Sequence, residues 1–242
     1  MAPETLETLE LKATLLAENK EEARNVREML ADGPLFVNVM ASPGAGKTTL
    51  LVRTIRALRD RFRLGVIEAD ADGDVDARTV AAAGARALQM HTGGSCHTDA
   101  LMAAQSLEAL GWRDLDLIFL ENIGNLVCPA EFDTGADLNA VLLSVPEGDD
   151  KPLKYPLMFT VADVLLVTKC DAAPLFDFDT EALAQRARAL NPGLAVIPVS
   201  AVTGEGLDAW LDWLCAAVKA KRLNAEAPAE AASEGRIGRE GH

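Results

Sequence analysis

A chain of 242 residues with 49% hydrophobic side chains can bury one full core, so a single domain is expected and a second large one is not. A net charge of -14 with no Lys/Arg-rich segment disfavours nucleic acid as a ligand, because phosphate backbones are held by basic surfaces. No apolar run approaches the roughly 20 residues that cross a bilayer, Met1-Ala-Pro-Glu4 shows no basic-then-apolar leader, and cysteines at 96, 128, 170 and 215 are too scattered for a disulfide framework, so a cytoplasmic location is expected.

Residues 1–32 read as an N-terminal amphipathic helix, with Leu6, Leu9, Ala13, Leu16 and Ala23 at helical spacing among Glu and Lys. Such a stripe serves either as a docking surface for a partner or as a face packed on its own domain. Next comes the apolar run Phe36-Val-Asn-Val-Met40, then Ala41-Ser-Pro-Gly-Ala-Gly-Lys-Thr48, then a helical run from Thr49. Strand, glycine loop and helix in that order make a phosphate-binding loop: backbone NH groups turn toward an anion, Lys47 adds charge, and the Thr48 hydroxyl can hold magnesium. Gly44, Ala45, Gly46, Lys47, Thr48 and Thr49 are therefore the phosphate-side nucleotide residues, with Ala41 standing where a first glycine is usual.

Further apolar runs at Arg63–Glu68, Ala87–Met90, Leu115–Leu120, Ala140–Val145, Val164–Val167 and Val196–Val199 alternate with helical stretches. Near-continuous apolar strands between helices predict a three-layer α/β fold: a mainly parallel sheet covered on both faces, with ligands at the carboxyl ends of its strands. A last amphipathic helix, Gly206–Leu223, carries Leu207, Trp210, Leu211 and Leu214 on one face; the domain is read as 33–223, and 224–242, poor in apolar residues, as a disordered tail.

Three groups of residues carry the expected chemistry. Glu68-Ala-Asp-Ala-Asp-Gly-Asp-Val-Asp76 follows the second strand, and hard cations want oxygen ligands. Asp70 is the choice for a magnesium or switch role and Asp76 a weaker one, while Asp72 and Asp74 read as a solvated helix-capping loop. Glu121, closing the run from Leu115, is expected to hold magnesium through water or to orient the attacking water, giving Thr48, Asp70 and Glu121 as magnesium residues and Lys47, Glu121 and Asp70 as catalytic ones. Val167-Thr-Lys-Cys-Asp171 and Ser200-Ala-Val-Thr-Gly204 are spaced as a guanine pocket: a buried Asp171 accepts from the base edge, the Lys169 stem covers the base, and Ser200 and Ala201 close the far side. Thr168 stands where Asn is commoner, which costs an amide contact. In the third group, Cys96 and His97 with Cys128 suit zinc or nickel, or alternatively are a buried thiol and a satisfied histidine. His91 is assigned to loop packing, and Cys170 and Cys215 to the core.

Thr92-Gly-Gly-Ser-Cys-His97, Phe119-Leu-Glu-Asn-Ile-Gly-Asn-Leu-Val-Cys-Pro-Ala130 and Glu147-Gly-Asp-Asp-Lys-Pro-Leu-Lys-Tyr-Pro156 closely resemble the hydrogenase nickel-incorporation GTPase family, HypB, from about Val37 to Leu214. The resemblance implies a SIMIBI-type P-loop GTPase, slow, using GTP and Mg2+, that delivers Ni2+ (or holds Zn2+) for assembly of the nickel-iron hydrogenase centre. It implies a GTP-dependent homodimer with Cys96, His97 and Cys128 at its interface, and two partners: a small HypA-like nickel metallochaperone and the hydrogenase large-subunit precursor. Here no Cys precedes Cys96 and the only histidines are His91, His97 and His242, so nickel storage is not expected; Gly73 stands where many relatives have Thr. Competing readings are a metallocentre GTPase of the urease or cobalamin type, a metal-binding regulator with a degenerate nucleotide site, and a small-molecule kinase.

Overall fold

The computed structural model describes residues 6–70, 73 and 75–234. Seven strands are present, β1 (Leu35–Ala41), β2 (Leu64–Asp70), β3 (Arg86–His91), β4 (Leu117–Glu121), β5 (Leu138–Ser144), β6 (Val164–Thr168) and β7 (Ala195–Val199). The helices are α1 (Leu6–Met29), α2 (Lys47–Leu58), α3 (Val75–Ala83), α4 (Ala100–Leu110), α5 (Cys128–Glu131), α6 (Lys151–Lys154), α7 (Pro156–Thr160), α8 (Thr180–Leu190) and α9 (Leu207–Glu234).

All seven strands are parallel, in the order β3-β2-β4-β1-β5-β6-β7. The chain leaves β1 for β2 on one side and later crosses to β5 on the other, so the loop after β1 opens at the point where the winding reverses. Crevices at such points collect ligands. The inner strands are apolar on both faces because both are covered: Leu35, Val37, Val39 and Ala41 join Leu50, Ile55, Trp210 and Leu214 of α2 and α9. On the opposite face Phe36 packs with Val26 of α1, Leu30 just after it and Leu107 of α4, and Met40 packs with Met158, Phe159 and Leu183 of α7 and α8. Pro198, which has no ladder NH to give, sits on the edge strand β7.

Trp210 is 1% exposed, and its indole NH donates to the Thr54 hydroxyl at 2.9 Å, so α9 is fixed against α2 by a bond as well as by area. The same helix corrects the sequence reading of the tail. It continues beyond Leu223 to Glu234, so residues 224–234 are helical, and only 235–242 lie outside the described residues. The reason is composition: Ala and Glu cannot build a core but are strong helix formers, and a helix already anchored by Trp210 extends through them.

Helix α1 packs on its own domain. Ala23, Val26 and Leu30 are buried, and a Cβ on Gly135 would fall 2.5 Å from that of Val26, so only glycine lets the following loop pass this close. Asn19 spans two segments, donating to the Asp133 carbonyl and accepting from the Ala100 NH at the start of α4, each at 2.9 Å.

Candidate functional site: a nucleotide cradle joined to a thiol and imidazole loop

The glycine loop between β1 and α2 takes the shape its residues predict. Gly44 and Gly46 have φ of 75° and 95°, a region that L side chains avoid, and a Cβ on either would meet nothing within 4 Å, so the loop faces open space. Ala41 is fully buried at the end of β1 and packed in the core, which explains why a methyl is accepted where the pattern usually has glycine. Helix α2 starts at Lys47 with Gly46 as its cap, leaving its first NH groups and its positive dipole end toward that space. Lys47 and Thr48 are half-buried, and Thr49 is exposed one residue further on.

Behind the loop, the Thr48 hydroxyl donates to Glu121 Oε1 at 2.9 Å. Glu121 ends β4 and is 6% exposed. Directly across in register on β2 lies Glu68, 3% exposed and hydrogen-bonded to Glu121. Burial, then the Glu121 charge, push the Glu68 carboxyl up to about 10, while burial also raises Glu121 against the pull of Lys47 and the Thr48 bond. Burial thus favours the protonated form in both members of the pair. Glu68 Oε1 and Glu121 Oε2 have no protein partner. Buried, unpaired carboxylate oxygens beside a hydroxyl and a lysine fit a hard cation, so magnesium suits this position.

Asp70, the sequence's choice for that cation, ends β2 exposed. Its Oδ2 lies near residue 73, where a Cβ would come within 2.9 Å of it. Asp76 opens α3 and its charge raises both glutamates; Asp72 and Asp74 lie outside the described residues.

On the other side of the cradle, Lys169 adopts φ 57°, the one positive φ among described non-glycine residues, and donates from Nζ to the Gly44 carbonyl at 2.8 Å. Thr168 does not leave a gap where Asn was expected: its buried hydroxyl donates to the Ala45 carbonyl at 2.7 Å, tying β6 to the phosphate loop. Asp171 is exposed rather than buried, open to a base edge. Ser200 is fully buried, its oxygen accepting from the NH groups of Val202 and Thr203 at 3.2 and 3.1 Å, and Ala201 is half-buried beside it. Gly206, with φ 69°, closes this turn where a Cβ would lie 1.9 Å from the Pro198 carbonyl oxygen.

The second constellation follows β3 and β4. Cys96 Sγ and His97 Nδ1 are 3.6 Å apart, and the Cys128 thiol at the start of α5 hydrogen-bonds that of Cys96. That bond, then burial, hold the Cys96 thiol above its ordinary value, while burial lowers that of the His97 ring. The His97 ring stacks on Phe132 with centroids 3.7 Å apart. Among the described residues no three His, Cys, Asp or Glu side chains are grouped tightly enough to hold a metal, so two thiols and one imidazole lie side by side without closing a three-ligand cage. His91 ends β3 exposed instead of packing into the loop. Cys170 and Cys215 are half-buried, away from this cluster. A groove of about 770 Å³ between α1, the start of α4 and Phe132 opens beside His97.

One residue joins the two constellations. Asn122, 1% exposed and next to Glu121, accepts from the Thr98 NH at 3.3 Å and from the Ile123 NH at 2.9 Å, and donates to Asn38 Oδ1 at 3.0 Å. Asn38 in turn donates to Asn139 Oδ1 at 3.0 Å, so a buried amide row crosses β4, β1 and β5. Glu68, Asn38, Asn122 and Phe132 escape sequence reasoning; for Asn38 and Glu68 the signal available was a polar residue inside an otherwise apolar strand, and for Asn122 and Phe132 there was none.

A parallel sheet reversing at β1, a glycine cradle on a helix start, and Lys169, Asp171 and Ser200 around its rim define a P-loop nucleotide-binding protein of the SIMIBI-type GTPase class. Residues 35–198 match the family model described as CobW/HypB/UreG, nucleotide-binding domain. The chain is 46% identical to the hydrogenase maturation factor HypB of Azotobacter chroococcum over 207 residues, 85% of this chain and 68% of that one, and 44% identical to its Escherichia coli counterpart over 85% and 71%. HypB from Helicobacter pylori, crystallised in complex with nickel, superposes with a TM-score of 0.79 at 35% identity over 86% of this chain and 97% of that one. The chain belongs to the HypB family of hydrogenase maturation factors. Among the described residues no helix is long and apolar enough to cross a membrane.

Proposed function

We propose that this protein hydrolyses GTP slowly and uses the cycle to deliver nickel for maturation of nickel-iron hydrogenase, acting in the cytoplasm as a GTP-dependent homodimer. The observation that carries the reading is the adjacency of Glu121 and Asn122: the first faces Thr48 in the nucleotide cradle, the second holds the backbone of the loop bearing Cys96 and His97. A change at the cradle is thus one residue from the metal-binding loop.

In this reading Gly44, Ala45, Gly46, Lys47, Thr48 and Thr49 bind the phosphates through NH groups and the lysine charge, and Lys169, Asp171, Ser200 and Ala201 select guanine. Magnesium at Thr48 and Glu121 would supply charge neutralisation on the phosphates, with Asp70, at the end of β2, as a further cation or switch residue. Lys47 stabilises charge developing on the terminal phosphate, and the Glu121 carboxylate orients the attacking water. Cys96, His97 and Cys128 hold nickel or zinc as cargo, with a second copy of the chain completing the ligand set. The nickel held by the related Helicobacter pylori protein supports this assignment. The groove at His97, with the exposed side chains of Leu15 and Leu101 on its walls, is open to a HypA-like metallochaperone; the hydrogenase large-subunit precursor receives the metal.

Coupling between two ligands is reciprocal, so a nucleotide that changes nickel affinity is itself bound differently when nickel is present. Nickel titration of the protein loaded with GDP or with a non-hydrolysable GTP analogue tests this. Different dissociation constants are expected, the difference and the GTP turnover both being lost in Lys47→Ala. Equal constants in the wild type would end the proposal.

A further inference from the structure

Glu68 is the buried charged group that the assigned roles leave unused. It faces Glu121 across the β2–β4 ladder, both are more than nine-tenths buried, and each keeps one carboxylate oxygen with no partner. Thr48 occupies the remaining side of Glu121, Lys47 draws on both carboxyls, and Asp76 adds repulsion from the start of α3. Packing alone does not call for this arrangement, since a Gln or Leu at 68 would fill the space without setting two acids against each other. A buried like-charged pair demands either a bound proton or a counter-charge greater than one lysine supplies.

We propose that Glu68 is a second carboxylate of the divalent-cation site, acting with Glu121 and the Thr48 hydroxyl, so that this cradle holds its cation with two acids in place of one. The inference rests on the nucleotide-and-cation reading given above. Hard cations bind more tightly as the number of carboxylates rises, and here two paired glutamates on neighbouring strands each leave one buried oxygen unpartnered for such an ion. The cradle then keeps its cation through protein groups when the terminal phosphate has gone, so GDP remains cation-bound after hydrolysis. Asp70, exposed two residues on along β2, is left to the loop that follows.

Free Mn2+ counted by electron paramagnetic resonance in the presence of GDP gives the test. Glu68→Gln is isosteric with the protonated acid and is expected to weaken Mn2+ binding at least tenfold; an affinity within twofold of wild type overturns the proposal. Wild-type protein with 13C-labelled glutamate carboxyls addresses the same question without a variant, and so covers a Glu68→Gln that fails to fold. Two carboxyl carbons shifting when Mg2+ is added to the GDP complex support the proposal, and one alone overturns it. Fluorescent-GDP binding to wild type with Mg2+ present separates the two levels: no binding there defeats the nucleotide reading itself, whatever Glu68 does.

Discussion

Replacing Asn122 by alanine removes a side chain that reaches both the loop bearing Cys96 and His97 and the sheet interior. Three hydrogen bonds go with it, to the Thr98 NH, the Ile123 NH and Asn38 Oδ1. Each is worth about 1 kcal/mol net, and the site is 1% exposed, so the abandoned groups do not regain bulk water easily. The expected loss is about 3 kcal/mol, which for a chain of this size corresponds to about 6–12 °C in melting temperature. Thermal unfolding followed by circular dichroism measures the total. Amide exchange at Thr98 locates it, because that NH should become much less protected while amides at the far end of β4 change little. A stability loss below about 0.5 kcal/mol with Thr98 still protected would refute the claim that Asn122 clamps the loop, and with it the proposed route from Glu121 to Cys96 and His97.

Two more outcomes are expected. Thr168→Val keeps the shape but loses the donor to the Ala45 carbonyl, costing about 1–2 kcal/mol and weakening GDP binding several-fold; fluorescent-GDP titration finding no change would show that this tie does not shape the cradle. In protein stripped of divalent cations, Glu68 keeps a proton that the unfolded chain has already released, so the folded state binds more protons and stability falls as pH rises from the ordinary carboxylate range toward 10. The slope is at most about 1.4 kcal/mol per pH unit, and denaturant titrations at about pH 6 and 8 should show it in the wild type and not in Glu68→Gln.

The strands were legible because inner parallel strands are apolar on both faces, and such runs stand out between helices. The glycine cradle was legible for a different reason, since its residues are set by backbone conformation and not by burial. Glu68 was not, because it ends an apolar run and opens an acidic one, and only the β2–β4 register shows that it lies covered opposite Glu121 while Asp70, past the last paired residue of β4, is exposed. Asn38 and Asn122 were equally silent, each being ordinary until the other lies across from it. Thr168 was read as a deficit because composition shows a missing amide, whereas the fold brings the Ala45 carbonyl close enough for a hydroxyl to reach. Residues 224–234 were misjudged because low apolar content argues against a core, not against continuing a helix.

The double grip of Asn19 carries a practical consequence for how the protein is cut. Its amide pins both the loop past α5 and the first turn of α4, the two segments that run out of the thiol-bearing region, and Arg27 adds an ion pair to Asp133 at 2.6 Å. A shortened version beginning at the first strand would retain the whole phosphate cradle yet release the two contacts that Asn19 makes around the thiol-bearing region. Such a fragment would serve poorly as a stand-in for the intact molecule in any metal-transfer experiment, however normal its nucleotide chemistry.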